Sequence, residues 1–268
     1  MTMSQVKTAT ARPKTTALSP RSRERIISFV SPVALLLLWE ILAQTGVLDI
    51  RFFPAPSQIL KTLFGMLRTG ELETHTLASM HRLVIGFVVG GVPALIIGVT
   101  MGLNSTMRAI VDPLISATYP IPKSSILPLA LLVLGLGEPS KIFMVAIGVF
   151  YPIAMNSMTG VREISKVYLD VGHNFKASRW NFFKTIALPG AMPMIMTGVR
   201  LGLGMGLVLI AIAEMVGAKS GLGYLIWNAW ETFSVDQMYV GLFAIALIGF
   251  ILTILVNEVE KILVPWKN

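Results

Sequence analysis

Three ionisable side chains stand inside long apolar runs: Glu40 directly after Trp39, Arg200 in TGVRLGLG and Glu214 in IAIAEMVGA. At membrane depth such residues are costly, and they are the first suspects for a path, a gate or a coupling site. Glu214 is read as facing the interior of a helix bundle in a structural or gating role. Arg200 either reaches toward headgroups or faces the polar loop that precedes it. Glu40 and Trp39 are read as packing and interfacial anchoring. Other chemistry is sparse. His75, His81 and His173 are scattered without metal-ligand spacing and read as satisfied surface or interfacial side chains. The phosphate-loop pattern (Gly, four residues, Gly-Lys, then Ser or Thr) does not occur, so nucleotide chemistry must come from another chain. No serine nucleophile elbow is present, and the lack of cysteine excludes disulfides, thiolate metal sites and cysteine nucleophiles.

The elements that must position these residues are helices in lipid. Of 268 residues, 54% are hydrophobic and 13% charged, with a mean hydropathy of +0.73. Soluble domains carry about 25% charged residues; this much apolar side chain needs an apolar solvent, which predicts an all-α membrane protein. The net charge of +8 sits mostly at the ends of apolar spans, which points to orientation in the membrane and away from nucleic acid. Runs long enough to cross as helices predict six spans at about 26–48, 83–103, 124–137, 142–161, 192–216 and 238–263, the third short and interrupted by Pro128. They form one transmembrane domain over 26–268, preceded by a basic tail over 1–25 that is expected to be disordered. Gly198, Gly202 and Gly206, four apart, are read as a packing face.

Fifteen of the 22 Lys and Arg fall in the tail, in loops 104–123 and 162–190 and at the C-terminus, against six on the other side, with Arg200 inside a span. This bias places both termini and the 162–190 loop in the cytoplasm. On the other side, Ser57 is expected to cap an amphipathic helix over about 57–69. Ile59, Leu60, Leu63, Phe64 and Leu67 lie on one face of it, and Lys61 and Arg68 opposite, so that it rests on the outer membrane face.

The stretch Asp170–Pro189, DVGHNFKASRWNFFKTIALP, is neither apolar nor low in complexity. Val171, Phe175, Phe182 and Ile186 recur with helical spacing on one side. Ser178 is a candidate N-cap, Pro189 is expected to end the helix that follows, and Pro193 to open the next span. The loop therefore reads as two short helices joined near residues 174–177, an amphipathic element at the membrane surface. Its spacing resembles the EAA loop of permease subunits in binding-protein-dependent ABC importers. Asp170, Val171 and Gly172 stand at the E-A-A place, Lys176 at the glycine place, and Ile186-Ala187-Leu188-Pro189 closes the pattern. From about Ile26 onward, FFPAPSQIL, YPIPKSSILPLALLVLGLGEPSKI, LPGAMPMIMTGVRLGLGMG, AEM and SGLGYLI follow in the order found in the sulfonate, taurine and nitrate branch of these permeases.

The resemblance implies a type I permease fold: six transmembrane helices with a cytoplasmic coupling-helix pair, in a multi-pass protein of the bacterial inner membrane. It implies a homodimer with a path at its axis, two ABC ATPase subunits below, and a periplasmic or lipid-anchored binding protein that delivers a small anion or organic anion. The chain itself is then no enzyme and holds no cofactor; ATP and Mg belong to the partner ATPase. The resemblance assigns ATPase coupling to Asp170, Val171, Gly172, Phe175, Lys176, Ala177, Ser178, Arg179, Phe182, Phe183 and Pro189. Among these, Phe175, Phe182 and Phe183 are apolar anchors, and Lys176 and Arg179 with Lys184 are polar rim contacts. Met155, Asn156, Arg200, Met205 and Glu214 are the expected path residues. The alternatives are an ion-coupled secondary transporter acting without an ATPase, for which only Glu40 and Glu214 offer intramembrane carboxylates, and a membrane-bound enzyme, for which no catalytic constellation is visible. Lys176 departs from the family pattern, because the glycine there lies at the turn between the two helices. A left-handed Lys costs about 1–2 kcal/mol, so Lys176 is expected to avoid that conformation, with the turn shifted toward Gly172 or Asn174.

Overall fold

The computed structural model describes residues 20–267, whose regular structure is helical throughout. Residues 1–19 of the expected basic tail lie outside the described residues. The described residues divide into two compact units, one ending at Ser57 and the other beginning at Gln58. In the first, α1 (Pro20–Gln44) carries the apolar stretch Val30–Gln44. Near its end Glu40 accepts hydrogen bonds from the Ser57 N–H at 2.9 Å and the Ser57 hydroxyl at 2.7 Å, and from the Gln44 amide. This corrects the expectation for Ser57. The helix that follows, α2 (Pro56–Thr69), begins one residue earlier, at a proline whose missing N–H is harmless in a first turn. Glu40, expected only to pack, supplies the acceptor that the first-turn N–H needs.

In the second unit, α3 (Glu71–Leu103), α6 (Glu138–Arg162), α9 (Leu188–Met215) and α11 (Val235–Leu263) are each long and apolar enough to cross a membrane. The central core joins Leu83, Ala94 and Met101 of α3 to Val145, Val149, Ile153 and Ala154 of α6 and Ile210 of α9. What brings α3 and α6 together is a row of small residues every fourth position: Gly86, Gly90, Ala94, Gly98 and Gly102. A Cβ at Gly90 would collide with the carbonyl of Ala146, and one at Gly98 with that of Ala154. Backbone meets backbone there, the contact that lipid-embedded helices use in place of a hydrophobic drive. Gly198, Gly202 and Gly206 of α9 also pack. A Cβ at Gly198 would lie 2.9 Å from the Pro152 carbonyl, and one at Gly206 3.2 Å from Leu83.

The third span differs from the sequence reading. The expected loop at 104–123 holds a helix, α4 (Ser105–Thr118), capped by the Asn104 side chain. After a 3-10 turn at Lys123–Ile126 comes α5 (Leu127–Leu134), and the two arms are bent by 88°. Pro120 and Pro122 remove two donors, and the chain leaves the helix just after Tyr119, itself still helical. Lys123 makes good the loss. Its Nζ donates to the carbonyls of Thr118, Tyr119 and Ile121 at 2.9–3.0 Å and sits 4.0 Å from the centre of the Tyr151 ring. Lys141 does the same at the next break, donating to the carbonyls of Leu136 (2.6 Å) and Gly137 (3.1 Å). Both lysines, expected in loops, are buried. The described residues thus contain four unbroken helices of spanning length, with the bent pair as a fifth crossing if it counts as one.

Candidate functional site

Between α6 and α9 lie α7 (Lys166–Asn174) and α8 (Arg179–Phe182), the latter followed by a π-helical turn at Phe183–Ala187. The Ser178 hydroxyl accepts the Asn181 N–H at 3.3 Å and caps α8. Pro189 does not end this helix as expected. The chain stays helical from α8 through the π turn into α9, with Pro189 in the first turn of α9. Proline crowds the carbonyl four residues before it; the wider turn, in which the Leu188 N–H reaches back five residues to Phe183, makes room.

Lys176 overturns the expectation set for it: its φ is 49°. The Ala177 N–H donates to the Gly172 carbonyl at 3.0 Å, and the Phe175 N–H to Val171 at 3.0 Å. This is a left-handed helix C-cap, in which the N–H two positions past the cap reaches back five residues, and its geometry demands a left-handed residue at 176. Gly172 cannot take that part. It lies within α7, pressed against α8, and a Cβ there would lie 2.8 Å from both Ile186 and Phe182. Lys176→Gly is therefore expected to raise the thermal unfolding midpoint, by the equivalent of about 1 kcal/mol. A midpoint that falls instead would show that the lysine side chain holds a contact of its own.

The single apolar face expected for this loop is split. Phe182, Phe183 and Ile186 turn inward onto Val161, Ile164, Ala187 and Ala191. Val171 and Phe175 face outward, Phe175 with 83% of its surface exposed. Asp170, Lys176 and Ala177 are exposed, and Gly172 is buried. Val167, Tyr168 and Trp180, which sequence reasoning missed, join Val171 and Phe175 as exposed large side chains. The pattern of residues 167, 168, 171 and 175 along α7 was the available signal.

At the far end of α9 Glu214 is fully enclosed. Arg82 of α3 donates to its Oε1 at 2.7 Å and to the Ser220 carbonyl at 2.7 Å, and forks onto both oxygens of Glu138 at 2.6 and 2.7 Å. The Ser79 hydroxyl donates to Glu214, 2.7 Å from its nearer oxygen, and accepts the Leu222 N–H at 2.8 Å. Gly223 N–H donates to Glu214 at 3.0 Å, and Gly221 N–H to His75 Nδ1 at 3.1 Å. One buried cation and one buried carboxylate thus fasten the linker between α9 and α10 (Leu222–Glu231) onto α3 and onto the start of α6. Sequence reasoning singled out Glu214 but read Arg82 as a cation outside the membrane, because its position just before a charge-free run looked like a span boundary.

Arg200 keeps part of its side chain exposed and pairs with the neighbouring span. It donates to Asn257 and Glu260 of α11, each at 2.6 Å. Beside it a cavity of about 220 Å3 runs between α9 and α11, lined also by Gly204, Gly249 and Thr253. Asn156 returns its amide to the Pro152 carbonyl at 2.8 Å, and Met155 and Met205 keep exposed surface. Among the described residues no group of His, Asp and Glu could hold a metal ion.

Residues 94–268 match the family described as the binding-protein-dependent transport system inner membrane component. The chain is 33% identical over 257 residues to the taurine transport system permease protein of Escherichia coli, covering 93% of this chain and 92% of that one. It is 28% identical over 272 residues to an aliphatic sulfonates transport permease protein of Bacillus subtilis, with 99% of each chain covered. With the nitrate import permease protein of a Synechocystis species it shares 28% identity over 270 residues, 94% of this chain and 97% of the relative.

Proposed function

The chain belongs to the family of binding-protein-dependent transport system inner membrane components, and from that premise we propose that it is the transmembrane subunit of an ATP-driven importer of a small anion such as a sulfonate, taurine or nitrate. It is a multi-pass membrane permease component of such importers. The reading gives it two copies per transporter, two ATPase subunits and an external binding protein that delivers the cargo, with both termini in the cytoplasm. The substrate class comes from the relatives that transport taurine, sulfonates and nitrate.

The observation that carries the mechanism is the outward apolar stripe on α7 and α8: Val167, Tyr168, Val171, Phe175 and Trp180. Large side chains left in water beside a rigid helix are what a groove on a second protein would take in. The ATPase is that protein, and ATP-driven closure of its dimer moves the seated stripe. Phe175 and Val171 supply apolar contact, joined by Tyr168 and Trp180. Lys176, Asp170 and Ser178 form the surrounding polar surface with the small Ala177 between them, and the side chain of Arg179, the other expected rim residue, lies outside the described residues. Phe182, Phe183 and Gly172 act from within, holding the two short helices on the bundle, and Pro189 ties them to α9. Met155 and Met205, with exposed surface, are the path candidates; Asn156 and Arg200 lie on the same two helices, α6 and α9, and Glu214 sets the outer end.

Reconstitution with the ATPase and the binding protein tests this. Phe175→Ala is expected to lower both transport and ATPase stimulation by more than about tenfold, the loss of a 2 kcal/mol interface anchor. Unchanged stimulation would refute the docking. Transport by the chain alone, without ATP or ATPase, would favour the secondary transporter instead.

A further inference from the structure

We propose that the open cavity on the inner side of α7 binds an anionic phospholipid, with its headgroup on Arg162 and Lys176 and the start of its chains on the apolar wall. The cavity measures about 900 Å3, within the range that buries an ordinary small ligand. It is amphiphilic: apolar Ile164, Leu169 and Phe182 line it together with Arg162, Lys176 and Ser105. No carboxylate lines it, and neither cation has an ion-pair partner among the described residues.

Placement favours a lipid over a free ion. The cavity opens where α3 ends at Leu103 and α6 ends at Arg162. Two long apolar helices leave the hydrocarbon there, at the depth where headgroups begin. Basic pockets between spans at that depth bind acidic headgroups. The cavity is also distinct from the ATPase stripe. Leu169, Gly172 and Lys176 line the cavity, whereas Val167, Tyr168, Val171 and Phe175 do not, so a protein seated on the stripe leaves it accessible from the membrane. A lipid held there would wedge the short helices at a set distance from the ends of α3 and α6.

The test is native mass spectrometry of the full chain released from nanodiscs of equal phosphatidylglycerol and phosphatidylcholine. The wild type is expected to retain phosphatidylglycerol preferentially. Arg162→Gln with Lys176→Gln is expected to weaken that retention about thirtyfold, the effect of two basic residues at an acidic surface. Ser105→Trp keeps every charge but puts a bulky ring on the cavity lining, and is expected to lose the lipid as well; size-exclusion elution as wild type shows that each variant is folded. Retention undiminished in both variants would overturn the proposal. So would inorganic phosphate that displaces the lipid at equal concentration, which would mark a plain anion site, or release of the lipid on addition of the ATPase, which would make that protein the occupant.

Discussion

Arg82→Ala is expected to destabilise the chain by about 3–5 kcal/mol, the cost of stranding a buried charge. Glu214 has no exposed surface. Without Arg82 it keeps only Ser79 and the Gly223 N–H, while the Ser220 carbonyl loses its donor. Loss of monodisperse elution in detergent and a large fall in thermal midpoint would register this. Glu214→Ala is expected to do less harm, because Arg82 still has the fork onto Glu138, half of which is in solvent. The paired replacement Arg82→Leu with Glu214→Leu removes both charges and is expected to recover much of the stability. It would still leave the α9–α10 linker unfastened, so transport would stay low in a folded protein. A wild-type midpoint for Arg82→Ala would show that the network contributes nothing to the fold.

Gly90→Leu is expected to be as severe for a different reason. The first carbon added at Gly90 meets the carbonyl of Ala146. Backbone cannot rotate away as a side chain can, so α3 and α6 must separate along their length and the central core opens with them. A penalty of at least about 3 kcal/mol, the upper end of overpacking, is expected. Gly65→Ala is the control: nothing lies within 4 Å of its new carbon, and it is expected to be neutral or to stabilise α2 by up to about 1 kcal/mol. Equal behaviour of the two variants in thermal unfolding would contradict the close-packed α3–α6 contact.

Hydropathy made the all-α membrane class legible, since a long charge-free run has few other readings. It could not show where spans break. Lys123 and Lys141 looked like loop residues because charge next to a short apolar run normally marks a boundary. Both instead serve carbonyls that prolines or a turn leave open, a role set by three-dimensional proximity. The same blindness hid Arg82, whose partner lies 132 residues away. Lys176 was misjudged through a local argument applied without its neighbour. The strain at one residue was visible, but not that Gly172 is held by contact with Phe182 and Ile186. That the loop holds two short helices was legible, by contrast, because that pattern is counted along the chain and needs no partner.

The uninterrupted helix from Trp180 to Met215 spans 36 residues, or ~54 Å end to end, well beyond the roughly 30 Å of a hydrocarbon core. Its first turn carries Trp180 of the outward stripe, and its last carries Glu214 of the buried clasp. Its points of give, the π turn at Phe183–Ala187 with Pro189 and Pro193, all lie near the Trp180 end, so under the proposed function a push on the stripe bends the helix there first, and only the remainder travels along the rest of α9 to the clasp.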